Sequence, residues 1–401
     1  MGKRNPFFCN SQKLFSILSI YFSIFTISCN NFKNSGMSNQ IVDFIDLGNE
    51  PMTTGFYVSD KIKEFHFVNL EHTENSIIGE INKIIQQAGR IYVLDRFVSS
   101  RVFVFDSTGK FLFNIGSVGK GRGQYIYPHD MLIDSADNTL LILDSENKRI
   151  NRYSSLDGEY VSSISLTFSA LRFFKIKNRY FFVGGRTDPN LIQTDAKFNV
   201  LMGYFPKETW MKKLPHESFH KVADSLFLFQ LNYKDTLYRI NDGIISAYRA
   251  IGYGKKSVTY NELLSLGDTI DITLKFSNRR MTYRYYFESP SHIFLTFIEN
   301  NKLYVTLFDK FSRKSLLFPY DSIINNISFE PNFPNIISLN DSGEFIAVID
   351  PSTIISMIKK ETKEPLNAGK EAVEMFKSRI DFKTELPNSN PSLLFFKFRR
   401  I

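Results

Sequence analysis

The feature that most constrains this chain is a unit of short apolar strands separated by polar turns, seen most clearly in residues 116–153. A glycine-rich loop leads to Pro128, and apolar segments follow at residues 131–133, 139–143 and 149–153. Strands that are joined by such short turns pair with their sequence neighbours as an antiparallel meander. Weaker copies of the unit occur on both sides of this stretch, so we predict a repeat protein built from β-meanders.

Six copies of the unit can be counted along the chain. The strands that open the copies start near these residues: Ile91, Leu140, Tyr180, Leu226, Ile293 and Phe345. The starts are 40 to 52 residues apart, except for the 67 residues between the fourth and the fifth. Propeller blades repeat about every 40–50 residues because each blade is one four-stranded antiparallel sheet. The predicted fold is therefore all-β, a six-bladed β-propeller of four-stranded antiparallel blades.

Several segments lie outside the six copies. Residues 61–70 and 391–398 both have strand patterns, and chain ends that supply strands to one shared blade would close the ring. The long interval accommodates an insertion around residues 259–280, in which the segment NELLSL predicts a short helix. Residues 365–380 begin with a proline and carry apolar residues on one helical face, which predicts a short C-terminal helix on the rim of the propeller.

The first 28 residues have the pattern of a signal peptide of the lipoprotein type. Basic residues precede an apolar segment, residues 14–27, that is too short to span a membrane comfortably. The following TISC, ending at Cys29, resembles a bacterial lipobox, with Thr26 where leucine is usual. We therefore predict lipid attachment at Cys29, the alternative being a signal peptide that is cut elsewhere and leaves Cys29 as a free thiol. The other cysteine, Cys9, lies in the removed segment, so the mature chain would hold no disulfide.

The mature chain divides into a polar tether at residues 29–45 and a propeller at residues 46–401. Its lysines and arginines are scattered, with no run longer than two. A nucleic-acid interface requires basic residues that cluster on one face, so we predict a solvated basic surface and no nucleic-acid partner. We expect a monomer whose contact with the membrane is the N-terminal lipid.

The glycine-rich segment carries a family resemblance. Gly119, Gly121 and Gly123, followed by Gln124-Tyr125 and then Pro128, a strand and LILD, resemble an NHL repeat. The whole chain resembles the six-bladed β-propeller lipoproteins of Bacteroidetes-type bacteria, with further matches at residues 68–84, 235–243 and 389–398. The resemblance implies the fold and a cell-envelope location, as an outer-membrane lipoprotein. No acidic cluster follows Cys29, which favours an anchor that faces the periplasm. The family supplies no activity.

Two sequence motifs suggest catalysis only at first sight. His216-Glu217-Ser218-Phe219-His220 spells HExxH, the zinc-peptidase motif, which requires a helix of several turns and a third ligand. A turn and a strand pattern follow His220 directly, so we interpret the motif as a chance match and predict no metal there. The glycines of residues 116–123 are followed by a strand and no Lys-Ser/Thr pair, whereas a phosphate loop must open a helix. We interpret them as a connection between blades.

Acidic residues that end strands offer one further kind of site. Asp95, Asp144, Asp309 and Asp350 are all in this position. Lactonase-like six-bladed propellers hold calcium at the central channel, and calcium needs about six to eight oxygen ligands. The sequence does not place that many, and aspartate in this position is also a turn former. We predict no cofactor, with calcium left open.

The loops that precede the blades form one rim of the channel, and loops on a rigid scaffold are where binding residues concentrate. The candidate binding residues at this rim are Asp95, Arg96, His129, Asp130, Asp144 and Arg172. No catalytic residue can be named, and catalysis is left open. We expect a non-catalytic binding or scaffold module that takes a glycan, peptide or protein at the channel mouth. The alternative is a calcium-dependent, lactonase-like hydrolase or lyase.

Overall fold

The protein is described by a computed structural model at residues 41–184, 189–206, 218–223, 226–231, 234–241, 243–265, 275–327, 333, 335–350 and 389–401. The described chain forms six sheets of four antiparallel strands, arranged as the blades of a propeller ring. This confirms the predicted fold class.

The first three blades are each built from four strands that follow one another in sequence. Blade one contains Lys83–Gln87, Arg90–Asp95, Arg101–Asp106 and Phe111–Ile115. Blade two contains Pro128–Asp134, Thr139–Asp144, Arg149–Ser154 and Tyr160–Ser165. Blade three contains Arg172–Ile176, Arg179–Val183, Leu191–Thr194 and Val200–Tyr204. In each blade the first strand is the inner strand, which borders the central channel, and the fourth is the outer strand.

Two of the remaining blades also include strands from the N-terminal part of the chain. Blade four contains Ser218–Ala223, Leu226–Gln230, Thr236–Asn241 and Ile244–Gly252, with Asp43–Asp46 added in parallel to its outer strand. Blade five contains Met281–Glu288, His292–Glu299, Lys302–Asp309 and Ser315–Pro319. Blade six contains Asn335–Leu339, Phe345–Ile349, Ser392–Phe398 and, as its outer strand, Ile62–Asn69.

Blade six closes the ring with strands from both ends of the chain, as the two terminal strand patterns predicted. Asn69 pairs with Ser392 and Phe65 pairs with Phe396 along an antiparallel register. A shared blade leaves the ring without an open edge, because the first and last strands satisfy each other's backbone groups. Ser392–Phe398 is the third strand of this blade, between Phe345–Ile349 and Ile62–Asn69.

The segment before blade six runs along the outer edges of blades four and five. Asp43–Asp46 pairs with the outer strand of blade four, and the Thr53 amide donates to the Leu317 carbonyl at 2.7 Å on the outer strand of blade five. Phe56–Tyr57 then pairs with Ile323–Ile324 before a short helix, Val58–Lys61. Among the described residues, strand pairing with blade four begins at Asp43, because the outer strand of that blade offers an unpaired edge to the backbone of residues 43–46.

A buried group of ion pairs fastens this segment to blades four and five. Arg249 donates through Nε to Asp43 Oδ2 at 2.7 Å, and its Nη1 donates to Tyr286 and Glu288. Glu288 Oε1 also lies 2.8 Å from Lys310 Nζ. Burial by itself would lower the pKa of Arg249, but Tyr286 and Glu288 outweigh it and raise that pKa. The two central charges, Arg249 and Glu288, are buried and satisfy each other, while Asp43 and Lys310 at the edge of the group are partly exposed.

Strand burial follows the position of each strand in its blade. The second strands of blades two and five, Thr139–Asp144 and His292–Glu299, are buried along their whole length. A sheet that is covered on both faces by neighbouring blades explains their continuous apolar runs. Aromatic rings fill the space between blades: Phe174 of blade three stacks on Phe227 of blade four with ring centroids 4.5 Å apart. Offset stacking of this kind stabilises beyond the area that it buries.

The predicted copies start at the second strand of each blade. The inner strand of blade one, Lys83–Gln87, was not predicted, because it has only two apolar residues, Ile84 and Ile85. The predicted helix in the long insertion is confirmed as Tyr260–Leu264, whose capping box joins Thr259 and Glu262. The predicted helix at residues 365–380 lies outside the described residues. Among the residues described, no helix is long and apolar enough to cross a membrane.

Candidate functional site

Strand connectivity brings the predicted site residues to one end of the ring. The first residue of an inner strand lies beside the last residue of the second strand, as Pro128 lies beside Asp144 and Arg172 beside Val183. Because the inner strands stand side by side around the channel, their amino-terminal ends and the turns after the second strands share one face. We use the name mouth cluster for five side chains at this face of blades one to three: Arg96, Phe97, Tyr127, His129 and Arg172.

Two of the predicted site residues, Asp95 and Asp144, serve the turns that follow the second strands. Both are fully buried. Asp95 accepts hydrogen bonds from two backbone amides at 2.8 and 3.0 Å, and Asp144 from two at 3.2 and 3.3 Å. The donors are Gly79 and Val98 for Asp95, and Ile126 and Tyr127 for Asp144. Carboxylates that are bonded in this way hold loop backbone in place.

Asp130 joins the inner strands of three blades. Its Oδ1 lies 2.6 Å from Lys83 Nζ of blade one, and its Oδ2 accepts from the Phe173 amide of blade three at 2.9 Å. Lys83 also donates to the Met131 carbonyl at 2.7 Å. Asp130 is almost fully buried, so its charge is neutralised inside the protein. It supports the site from below the surface.

His129 is held in one neutral form by its neighbours. Its Nδ1 lies 2.8 Å from the Leu171 carbonyl oxygen and 3.2 Å from Arg96 Nη1. A carbonyl oxygen can only accept, so Nδ1 carries the proton and donates to Leu171, and Arg96 is in contact without a bond there. The lone pair is then on Nε2. Burial, followed by the charge of Arg96, lowers the pKa of His129 to about 4.

The two arginines of the mouth cluster have no carboxylate partner among the described residues. Arg96 is half-buried, and its Nε is shielded from solvent without an acceptor in the described part of the chain. Burial lowers the pKa of Arg96. Arg172 follows Leu171, whose carbonyl oxygen is bonded to the same His129 ring that Arg96 Nη1 contacts at 3.2 Å. Arg172 itself is exposed at the start of the inner strand of blade three. Two cations therefore face the same end of the channel.

An aromatic surface adjoins these cations. The Arg96 guanidinium lies 4.1 Å from the centre of the Phe97 ring, a cation–π contact. Phe97 is 54% exposed and its neighbour Val98 is 67% exposed, so both offer apolar area to a ligand. Tyr127 connects the parts, since its ring lies 6.3 Å from Phe97 and 5.4 Å from His129.

The remaining histidine near the mouth, His220, lies on the inner strand of blade four. Its ring is 5.2 Å from that of Tyr286, and its Nε2 is buried with no hydrogen-bond partner in the described chain. Burial and then the charge of Arg172 lower the pKa of His220 to about 3. His220 belongs to the strand Ser218–Ala223, so it does not have the helical geometry that HExxH zinc sites require. His216 and Glu217 lie outside the described residues.

The structure thus brings together Arg96, His129 and Arg172 from the predicted set and adds Phe97 and Tyr127. Sequence reasoning missed the two aromatic residues, although each stands beside a predicted residue or motif: Phe97 follows Arg96, and Tyr127 precedes Pro128. Across the described ranges, no group of three or more histidine, cysteine, aspartate or glutamate side chains is placed to hold a metal ion.

Known proteins resemble the chain in sequence and in fold. The family model described as "Domain of unknown function (DUF4934)" matches residues 42–397. A protein of Bacteroides fragilis NCTC 9343, described as exported, has a similar structure, with a TM-score of 0.72 and 17% identity, over 89% of this chain and 99% of that one. A member of the DUF4221 family from Bacteroides vulgatus ATCC 8482 has a TM-score of 0.50 and 11% identity, over 84% of this chain and 97% of that one. At these identities the two structures show a shared fold.

Proposed function

This chain belongs to the DUF4934 family, and from that premise we propose that it is a non-catalytic binding module of the cell envelope, with its ligand site at the mouth cluster. One observation carries the proposal: the arginine donors of the mouth cluster have no carboxylate partner in the described chain and lie beside an exposed aromatic surface. Such groups converge at the end of a rigid ring, where propellers and other scaffolds present their loops to ligands.

The protonation states at the mouth favour binding over catalysis. General acid–base catalysis works best with a group whose pKa lies near the working pH. The pKa of His129 is about 4, and the nearby carboxylates of Asp95, Asp130 and Asp144 are bonded to amides or to Lys83. Asp95 and Asp144, two of the four carboxylates that the calcium-dependent alternative would use, are held in these bonds, so this geometry does not favour that alternative.

The proposed location is the outer membrane, with a lipid at Cys29 and the propeller facing the periplasm. The signal-peptide pattern of residues 1–28 and the lipobox-like TISC support this placement. The similar B. fragilis protein is described as exported, which agrees with it. A glycan, a peptide or an envelope protein is the proposed class of partner.

A binding screen tests the proposal directly. The mature chain with Cys29→Ala would be applied to glycan and metabolite arrays, with and without EDTA, and each hit measured by calorimetry. We expect at least one ligand whose affinity falls about tenfold, or 1.4 kcal/mol, in Phe97→Ala, because the ring supplies apolar contact area. Phe311→Ala is the matched control, since Phe311 is a similarly exposed phenylalanine on blade five.

Two results would contradict the proposal. Ligands whose affinity is the same in the parent chain and in the Phe97→Ala and Tyr127→Ala variants bind elsewhere. Chemical conversion of a bound ligand, followed by chromatography, would show that the protein is an enzyme.

A further inference from the structure

We propose that the mouth cluster recognises an anionic group, a carboxylate or a phosphate, carried beside a ring or another apolar surface. The inference rests on the proposed function, because it names the chemistry of the ligand that this site would bind. The inference follows from a difference between the charged groups at the mouth: the carboxylates already have hydrogen-bond or ion-pair partners in the described chain, whereas the arginines have no carboxylate partner there.

The negative charges at the mouth are already satisfied. Asp95 and Asp144 accept backbone amide hydrogens and are fully buried, and Asp130 is paired with Lys83 at 2.6 Å. Glu80 is exposed, accepts from the Asn82 side chain at 2.9 Å and forms no ion pair with Arg96. These carboxylates leave the two arginines to whatever enters from solvent.

The positive charges are the unsatisfied ones. Arg96 is half-buried, and a guanidinium that is partly removed from water without an anion is costly. Its Nε has no acceptor in the described residues, and Nη1 faces the Nδ1–H of His129, which cannot accept from it. Arg172 is exposed and directly follows Leu171, whose carbonyl oxygen accepts from the His129 ring beside Arg96. Carboxylate and phosphate match the fork of guanidinium donors and form short, charge-assisted hydrogen bonds with it.

The neighbouring groups describe the rest of the ligand. Phe97 and Val98 offer exposed apolar area, and Tyr127 extends it towards His129. A ring in the ligand can stack on this surface while its charged group reaches the arginines. With Nδ1–H donated to Leu171, the other imidazole nitrogen of His129 accepts, so a hydroxyl or amide donor on the ligand fits there.

Matched pairs of probes test the inference. Calorimetry on the mature Cys29→Ala chain would compare glucuronate with glucose, glucose 6-phosphate with glucose, and benzoate with benzyl alcohol. We expect the charged member of at least one pair to bind about tenfold more tightly than its neutral partner. We also expect its affinity to fall as the salt concentration is raised, because salt screens exposed charges. Comparison of the carboxylate pairs with the phosphate pair shows which of the two anionic groups the site prefers.

Variants place the effect at the arginines. Arg172→Gln should remove most of the preference for the charged probe, whereas Lys302→Gln, which removes one charge from an exposed residue of blade five, should preserve it. Arg96→Lys keeps the half-buried charge but loses the fork of guanidinium donors. This variant should bind the carboxylate probe more weakly and unfold at the same temperature as the parent chain. Arg96→Gln is the second variant at this position.

The outcomes distinguish the inference from the proposed function. If charged and neutral probes bind equally and this binding is lost in Phe97→Ala, the inferred preference for an anion is wrong, but the mouth is still a binding site. A charged preference that Arg172→Gln and Lys302→Gln reduce equally would also overturn it, since it would reflect net charge alone. Array ligands that bind without any dependence on Phe97, together with no binding of any probe, would overturn both.

Discussion

Aspartates at the ends of the second strands show how one residue type serves a repeated local purpose. Asp95 and Asp144 occupy the same place in successive blades, and each carboxylate accepts hydrogen bonds from the turn, at Val98 or Asn147, and from the loop that enters the blade. Buried amides must be hydrogen-bonded, and a short acidic side chain in a turn is well placed to accept from them. A polar residue that repeats from blade to blade in this fold should therefore be interpreted first as part of a turn, and only then as a ligand-binding residue.

The protonation of His129 predicts a pH dependence of stability. Its pKa is about 4 in the folded protein, below its ordinary value of 6.5, and Arg96, Asp130 and Arg172 are the charged groups that face it. Between these two pH values the unfolded state binds more protons than the native state, so stability decreases as the pH falls from 6.5 towards 4. We expect a smaller decrease between pH 7 and pH 5 in His129→Gln, measured by urea unfolding.

The control for this prediction is His72→Gln, which removes an exposed histidine. Part of the decrease should persist in His129→Gln, because burial lowers the pKa of His220 and of His292 as well. If His129→Gln and the parent chain lose stability in parallel over this range, His129 is not neutral in the folded state.

The buried ion pairs around Arg249 predict a large effect of one substitution. Arg249→Met would leave Glu288, only 2% exposed, with Lys310 as its remaining cation. Removing one partner of a buried pair costs about 3–5 kcal/mol, because the other charge stays buried without compensation. We expect a decrease of this size in the free energy of unfolding, measured with urea.

Arg313→Met is the matched control for Arg249→Met. Arg313 pairs with Asp43 at 3.1 Å, and its side chain is 53% exposed. An exposed pair contributes about 0–1 kcal/mol, so this variant should be close to the parent protein in stability. Equal losses in the two variants would show that burial does not set the strength of these ion pairs.

At the scale of elements, blade one and blade six are fastened to each other through a turn. The last turn of blade one contains Gly109, whose carbonyl accepts from the Glu71 amide at 2.8 Å, just after the outer strand of blade six. A Cβ atom on Gly109 would lie 2.0 Å from the Asn69 carbonyl oxygen. The closing strand, Ile62–Asn69, is thus held both by the register of its own blade and by its neighbour.

This contact predicts different costs for the same substitution at two glycines. Gly89 and Gly109 both have positive φ, 73° and 92°, but a Cβ on Gly89 would meet nothing within 4 Å. Gly89→Ala should cost about 1–2 kcal/mol from the left-handed backbone alone. Gly109→Ala should cost about 1–3 kcal/mol more, because the turn and the Asn69 backbone must move apart. Urea unfolding of the two variants measures the difference, and equal costs would mean that the turn moves freely.

At the scale of the whole molecule, the ring and the N-terminal segment are one unit from residue 43 onwards. That segment passes the outer edges of blades four and five and then completes blade six. Cys29, the proposed anchor residue, is separated from Asp43 by residues 30–42 in the sequence. The channel mouth is built from other blades and needs no residue of that segment.

The proposed anchor makes a prediction about where the whole protein is found. In a Gram-negative host that is fed an alkyne-labelled fatty acid, the full chain should be labelled and recovered in the outer-membrane fraction. Cys29→Ala should lose the label and appear in the soluble periplasmic extract, because no lipid can be attached. Cys9→Ala is the control and should behave as the parent chain. Labelling that survives in Cys29→Ala would contradict the predicted attachment site.

Features encoded over short stretches of chain were predictable from sequence. The number of blades, the strand rhythm, the Thr259-capped helix and the strand character of both chain ends follow from turn residues and apolar runs within a few residues of each other. The inner strand of blade one was missed because Lys83–Gln87 carries mostly polar residues. Three of the six candidate site residues, Arg96, His129 and Arg172, do meet at one end of the ring.

By itself the sequence determined a closed ring of six antiparallel blades, since five blades form from neighbouring segments whose pattern is local and the strand patterns at the two ends of the chain predict the shared sixth. Only the tertiary structure decided which charges are satisfied. Asp130 is bonded to Lys83 and to the Phe173 amide, and Arg249 to Asp43 and Glu288, across separations that no periodic pattern records. A charged side chain is paired within the protein if the closed ring places a suitable atom, distant in sequence, within hydrogen-bonding distance; otherwise it remains available to a ligand. Burial then sets the strength of the bonds that form.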